Sequence, residues 1–187
     1  MKGFFAWIGT LLVLAVSVTG LWWANVDFTK KAYPTPYGDL VKQSAKQADL
    51  DEAFVYSVMR TESHFRPEIE SYANAIGLMQ LTPDTFDWVR YVLGSEEDLS
   101  AEDLKTPQVN VYYGCQLLRI LLDEFEKPEV ALAAYHAGRG NVNKWLQDPA
   151  YSSDGKTLET IPIEDTRNYV DKVMHTYNIY THLYHWE

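Results

Sequence analysis

Cysteine is almost absent from this chain. The single one, Cys115, excludes an intrachain disulfide. Its place in the spacing Val111, Cys115, Leu118, Leu122 reads as a small buried hydrophobe, and no neighbouring basic residue is present to hold a reactive thiolate. Positive charge is also scarce. Against 26 Asp and Glu stand 16 Lys and Arg, a formal net charge of -10. With no local run of Lys and Arg, a phosphate backbone finds nothing to neutralise it, so no nucleic-acid partner is expected. Metal and nucleotide signatures are missing as well. The histidines form no HExxH pair, and His64, His175, His182 and His185 read as surface or structural residues. Asp154-Gly155 suggests a calcium loop, but Ala150 and Ser152 stand where alternate ligands would be needed. No G-x-S-x-G or Walker pattern occurs.

What the chain does have is apolar and aromatic. Its hydrophobic content of 47% is enough for a folded core and speaks against disorder. Aromatics reach 14%, with 13 Tyr and 6 Trp, side chains that pair a flat apolar face with a polar edge. Such faces suit sugars, although a core uses them equally well.

Residues 4–24 carry no charge, and about 20 apolar residues span a bilayer as a helix. Trp7 at one end and Trp22 and Trp23 at the other resemble interfacial belts. A cleaved signal peptide is the competing reading, but bulky rings stand where small residues are wanted for cleavage. The expectation is a membrane anchor over residues 1–25, a juxtamembrane linker over 26–38 punctuated by Pro34, Pro36 and Gly38, and one domain over 39–187. Lys2 lies on one side of the segment and Lys30 and Lys31 on the other, so charge does not orient it.

The domain reads as an all-α fold. Leu40, Val41, Ala45 and Ala48 keep helical spacing, as do Phe54, Val55, Val58 and Met59. Asp49 and Glu52 resemble a capping box opening the second of these helices. Thr82-Pro83 and Thr106-Pro107 each read as an N-cap followed by proline in the first helical position. The second pair opens a long helix with Leu117, Leu118, Leu121 and Phe125. An apolar helix over 129–135 stops at Gly138 and Gly140, a short one follows over 141–146, a surface loop covers 148–163, and an amphipathic helix runs over 165–184.

One carboxylate is out of place. Glu62 follows Val55 by seven residues, Val58 by four and Met59 by three, which puts it on the apolar face of its helix. Burial there would raise its pKa and keep it protonated, the state from which a general acid cleaves a glycosidic bond. A structural Glu paired with Arg60, or one reaching solvent at the helix end, fits the same spacing. Downstream, Gly77 sits in a loop where a positive φ or a close backbone approach to a ligand would need it, and Met79 and Gln80 follow.

Glu62-Ser63 with Phe65 and Pro67, then Ser71, then Ala75-x-Gly77-Leu78-Met79-Gln80 with Pro83, resembles the catalytic domain of soluble lytic transglycosylases, relatives of goose-type lysozyme. Ala134-Tyr135-His136-Ala137-Gly138 is similar to that family's Ala-Tyr-Asn-Ala-Gly motif. Ile161-Pro162 with Asp165-Thr166-Arg167-Asn168-Tyr169-Val170 is similar to its closing motif. The likeness runs from about residue 38 to 180. It implies a compact, lysozyme-like helical domain with a cleft for the glycan strand of peptidoglycan, and no metal or organic cofactor. It further implies Glu62 as catalytic acid and base, with Ser63, Ser71, Met79, Gln80, Tyr135 and Tyr169 around the substrate. The substrate would place the domain on the extracytoplasmic side of a bacterial membrane. Three positions depart from the family pattern: Asn74 for glycine, His136 for asparagine and Asp165 for glutamate, where the shorter acid could serve as an N-cap. Beside a lytic transglycosylase stand two alternatives, a hydrolytic muramidase and a non-catalytic glycan-binding scaffold. The sequence identifies no protein partner.

Overall fold

In the computed structural model, residues 27–184 and 186 are described. The expected anchor over residues 1–25 lies outside them. Among the described residues seven complete helices of eight or more residues follow one another: α1 (Gly38–Gln47), α2 (Glu52–Ser63), α3 (Pro83–Leu93), α4 (Pro107–Phe125), α5 (Pro128–Ala137), α6 (Arg139–Leu146) and α7 (Glu164–Leu183). A 3-10 turn, Ala101–Lys105, precedes α4. Among the described residues the only β pairing is two isolated bridges, Glu70 with Ile76 and Ile76 with Leu81.

The core is organised around α5. Val130, Ala131, Leu132, Ala133 and Ala134 are all buried, as in a helix that is apolar on every side and is packed all round. Its neighbours are α4, α6 and α7, and α7 in turn packs along α2. Three alanines in that run keep side chains short, so the surrounding helices approach closely. Cys115 is buried on α4, as its spacing implies, and burial pushes its thiol well above the usual range.

The helix ends mostly follow their local chemistry. Thr82 accepts a hydrogen bond from the Thr85 amide, with Pro83 in the first turn. Thr106 and Pro107 open α4, though the Thr106 side chain makes no cap bond. Gly138, at φ 87, ends α5. Two expected caps are corrected. Asp51, not Asp49, caps α2, accepting from the Ala53 amide at 2.8 Å. Asp49 takes a left-handed φ of 51 in the connection before it. Asp165 lies inside the first turn of α7, whose N-cap is Ile163. The surface loop before α7 is organised by Asp154, whose carboxylate accepts from the Lys156 and Thr157 amides at 2.8 and 2.7 Å. Those bonds hold its pKa down to about 2.

Residues 33–35 fall in the stretch expected as a linker, and they lie against the body of the domain. Three successive carbonyls each accept a tyrosine hydroxyl: Tyr33 from Tyr184 at 2.7 Å, Pro34 from Tyr180 at 2.8 Å and Thr35 from Tyr56 at 3.4 Å. The Tyr33 ring lies under the Arg60 guanidinium, 4.3 Å from its centroid.

Candidate active site

Glu62 stands in the last turn of α2, where the chain is about to leave the helix through two left-handed residues, His64 and Phe65. It opens onto a cleft walled by Ser71, Ala73 and Ala75 from the following loop. The start of α3 adds Thr82 and Thr85, α4 adds Leu117, and α5 adds Tyr135 and His136. Glu62 is the one carboxylate among the residues lining this cleft. Apart from its opening to the cleft it is enclosed by protein, and desolvation raises its pKa to about 7. The Tyr169 hydroxyl and the more distant Lys172 ammonium pull the other way. No ion pair found among the described residues involves Glu62, and Arg60 is turned toward Tyr33 instead. The alternative of a structural Glu62–Arg60 pair is therefore not what forms.

Two tyrosines flank the carboxyl. Tyr169, on α7, is buried, and its pKa lies well above the ordinary value through desolvation and the nearby Glu62 charge. Its hydroxyl favours the ionised form of Glu62, but it makes no fully formed hydrogen bond in the free protein. Tyr135 also senses the Glu62 charge, after the larger effect of its own burial. It donates its hydroxyl to the Met79 carbonyl at 2.5 Å.

The loop from residue 69 to 81 is shaped from within. The Ser71 hydroxyl accepts from the Ala75 amide at 3.1 Å, leaving its proton free at the cleft wall. Asn74 has φ 58. Asparagine tolerates that region better than other non-glycine residues, which accounts for it standing where the family has glycine. Gln80 lines the cleft, but its amide NH2 is committed to the Ile69 and Gly77 carbonyls at 3.1 and 3.0 Å.

Two residues expected around the substrate face elsewhere. The Met79 side chain is fully buried and rests on Gly114, where any β-carbon would meet its sulfur at 2.3 Å. Ser63 is likewise fully buried, with its hydroxyl donating to the Leu78 carbonyl at 2.8 Å. Both hold the loop against the helices, and neither lines the cleft. The physical reason is packing: Ser63 ends α2 with its hydroxyl on the loop backbone, and Met79 is drawn into the core together with Ile76, Leu78 and Leu81.

Asn110 is the residue that sequence reading missed. It is fully buried on α4. Its Oδ1 accepts from the Met79 amide at 2.7 Å, and its Nδ2 donates to the Ile76 and Leu104 carbonyls at 2.8 Å each. Gly77, at φ 81, leaves room for this amide, since a β-carbon there would lie 2.2 Å from Nδ2. The available signal was an asparagine one turn before Gly114 on an otherwise apolar helical face.

His136, at the cleft lip, pairs Nδ1 with the Thr166 hydroxyl at 3.0 Å and packs its ring 4.5 Å from that of Tyr169. Partial burial lowers its pKa, and Asp165 opposes that shift. Among the described residues no three His, Cys, Asp or Glu side chains gather as metal ligands would.

The transglycosylase SLT domain family model matches residues 39–157. The soluble lytic murein transglycosylase of Salmonella typhimurium is 28% identical over 165 residues, covering 87% of this chain and 25% of that protein. The membrane-bound lytic murein transglycosylase C of Histophilus somni is 30% identical over 171 residues, covering 76% and 46%. Among solved structures, an inactive mutant of lytic transglycosylase Slt from Pseudomonas aeruginosa has a TM-score of 0.72 at 32% identity, covering 82% of this chain and 25% of that one. The 70 kDa soluble lytic transglycosylase of Escherichia coli reaches 0.74 at 27%, covering 89% and 27%. The chain thus spans about a quarter of the length of the first of these relatives.

Proposed function

Because this chain belongs to the transglycosylase SLT domain family, we propose that it is a peptidoglycan lytic transglycosylase. It cleaves the β-1,4 bond between N-acetylmuramic acid and N-acetylglucosamine and leaves a 1,6-anhydro ring. The observation that carries this reading is Glu62, a lone cleft carboxylate whose pKa of about 7 keeps much of it protonated near neutrality.

Protonated Glu62 donates to the leaving glycosidic oxygen as the C–O bond breaks. Now ionised, it takes the proton of the C6 hydroxyl, whose oxygen attacks the anomeric carbon. Tyr169, whose hydroxyl favours the carboxylate, steadies Glu62 between the two steps. The nucleophile is tethered to the reacting sugar, so its effective molarity exceeds that of water. Ser71 offers its hydroxyl proton to the same sugar. The inactive relative from Pseudomonas aeruginosa carries a glutamate-to-glutamine change, which supports a glutamate in this role.

Purified sacculi test the reading. The chain is expected to release soluble muropeptides, with kcat/KM falling as pH rises through about 7 because the acid form of Glu62 is lost. Sacculi left intact would favour the glycan-binding scaffold.

Residues 39–187 form the catalytic domain in this proposal, joined by residues 26–38 to a single-pass anchor over 1–25. Peptidoglycan lies outside the membrane, so the domain does too. The membrane-bound relative from Histophilus somni supports membrane attachment. No helix among the described residues is long and apolar enough to cross a bilayer, and the support for a span over residues 4–24 is their uncharged, apolar sequence. Fractionation with protease mapping checks this, and a released form beginning near residue 25 would show a signal peptide instead.

A further inference from the structure

The segment that leads into the domain is held along its length. Residues 27–32 are helical. The next three are gripped by Tyr56 of α2 and by Tyr180 and Tyr184 at the end of α7, whose hydroxyls donate to their carbonyls. The Tyr33 ring adds an edge contact with Tyr180, 5.8 Å between centroids, beneath the Arg60 guanidinium. We infer that this clamp seats the domain on the phospholipid headgroups of the membrane, through a face made of Phe28, Lys30, Lys42, Lys46, Tyr184 and Trp186. The inference rests on the single-pass anchor proposed above and extends it from a tether to a docked surface.

Reach is the first ground. The proposed anchor ends at residue 25, and the first gripped residue is Tyr33. With residues 27–32 helical, the connection covers about 16 Å at most. A small domain is about 30 Å across. A tether shorter than the domain is wide does not let it turn over, so one face stays toward the bilayer. The clamp decides which.

That face has the composition of a membrane interface. Phe28 is 72% exposed. The Lys30 ammonium lies 5.4 Å from the Tyr184 ring centroid. Tyr184 packs on Trp186, also at 5.4 Å, and Trp186 borders the same surface recess as Lys42 and Lys46. These contacts make one continuous strip. Tyr and Trp rings settle at headgroup depth, and lysines lay their stems on apolar surface while the ammonium reaches a phosphate. Lys30, Lys31, Lys42 and Lys46 are exposed and enter no ion pair found among the described residues, in a chain whose net charge is -10. Asp51 and Glu52 share the recess, but Asp51 is spent on the Ala53 amide and the Tyr177 hydroxyl. Asp27, Asp39 and Glu52 are left against the four lysines.

The orientation suits the proposed chemistry. Tyr56 and Arg60, on which the clamp sits, come before Glu62 on α2. At 3.6 residues per turn they point about 120–160° away from it round the helix. Lipid on that side leaves the Glu62 cleft open away from the bilayer, toward the glycan.

The full chain, reconstituted in vesicles of phosphatidylethanolamine and phosphatidylglycerol, tests this. Cys115 is buried, so a thiol-reactive fluorophore goes to an introduced site. One is Lys46→Cys on the inferred face. The other is Tyr72→Cys beside the cleft wall, where the side chain is fully exposed. The headgroup layer is about 5–8 Å deep on each side of the bilayer, so lipids with a nitroxide on the headgroup should quench the label at 46 about threefold more than the label at 72. Tyr33→Ala combined with Tyr180→Phe and Tyr184→Phe removes the clamp and keeps the two α7 rings. That variant should bring the two sites close to equal quenching, and Tyr33→Ala alone should move them part of the way. Equal quenching in the unclamped and parent chains alike, with the protein still held by the vesicles, would overturn the docked face alone. A parent-like difference in the combined variant, shown folded by circular dichroism, would overturn the clamp. A parent chain that alkaline carbonate strips from the vesicles would overturn the anchor itself, and this inference with it.

Discussion

Glutamine in place of Glu62 should stop the release of muropeptides from sacculi and leave the fold standing. General acid–base catalysis contributes about 10²–10⁴-fold in typical enzymes, and in the proposed mechanism one group serves both proton transfers, so the loss should reach the upper end. Gln keeps the shape and cannot deliver a proton. The stability effect has the opposite sign. The folded state raises the Glu62 pKa to about 7, above the unfolded value, so folding is favoured by the proton and disfavoured as pH rises through that range. A glutamine never ionises and escapes this cost. The melting temperature of the Glu62→Gln chain at pH 8 should therefore equal or exceed that of the parent. A variant that keeps most of its rate would remove Glu62 from the chemistry. One that melts well below the parent would show that Glu62 is instead a structural partner.

Asn110→Ala should be the most damaging change away from the cleft. It deletes three buried hydrogen bonds and strands the Met79 amide and the Leu104 carbonyl, both within buried residues, while the Ile76 carbonyl keeps the Leu81 amide at 3.1 Å. Each orphaned buried group costs about 1–3 kcal/mol, so the sum is at least about 2 kcal/mol. For a domain of this size that lowers the melting temperature by roughly 4–8 °C. The loop bearing Ser71 and Gln80 loses its fastening to α4, so activity at a permissive temperature should fall as well. Thermal melts and sacculus assays on one preparation read both effects. A shift under about 2 °C would mean that the loop holds itself.

These two residues mark what local pattern reveals and what it does not. Glu62 was visible because helical spacing alone puts it among Val55, Val58 and Met59, where a carboxylate is costly. Helix starts at Pro83 and Pro107 and the stop at Gly138 were visible for a similar reason, since a missing amide proton or a positive φ acts within one turn. Asn110 acts across 31 positions on the Met79 amide, and nothing nearby in sequence announces that partner. The same holds for the tyrosines that grip residues 33–35, two of them more than 140 positions away. Met79 misled for a different reason. Motif likeness put it beside the substrate, while the close approach of its sulfur to Gly114 depends on how α4 packs under the loop. The family match ends at residue 157, yet α7 beyond it supplies Tyr169 to Glu62.

In the proposed mechanism one carboxylate does the chemistry with the sugar's own hydroxyl as nucleophile. A retaining hydrolase would need a second carboxylate about 5–5.5 Å from the first, and an inverting one about 6.5–9.5 Å away. Among the described residues no second carboxylate lines the Glu62 cleft. Mass spectrometry of the muropeptides released from purified sacculi, before and after borohydride treatment, tests this most directly. Terminal muramic acids should be lighter by one water than hydrolysed ends and inert to borohydride. Reducible ends of full hydrolysed mass would contradict it and make the protein a muramidase.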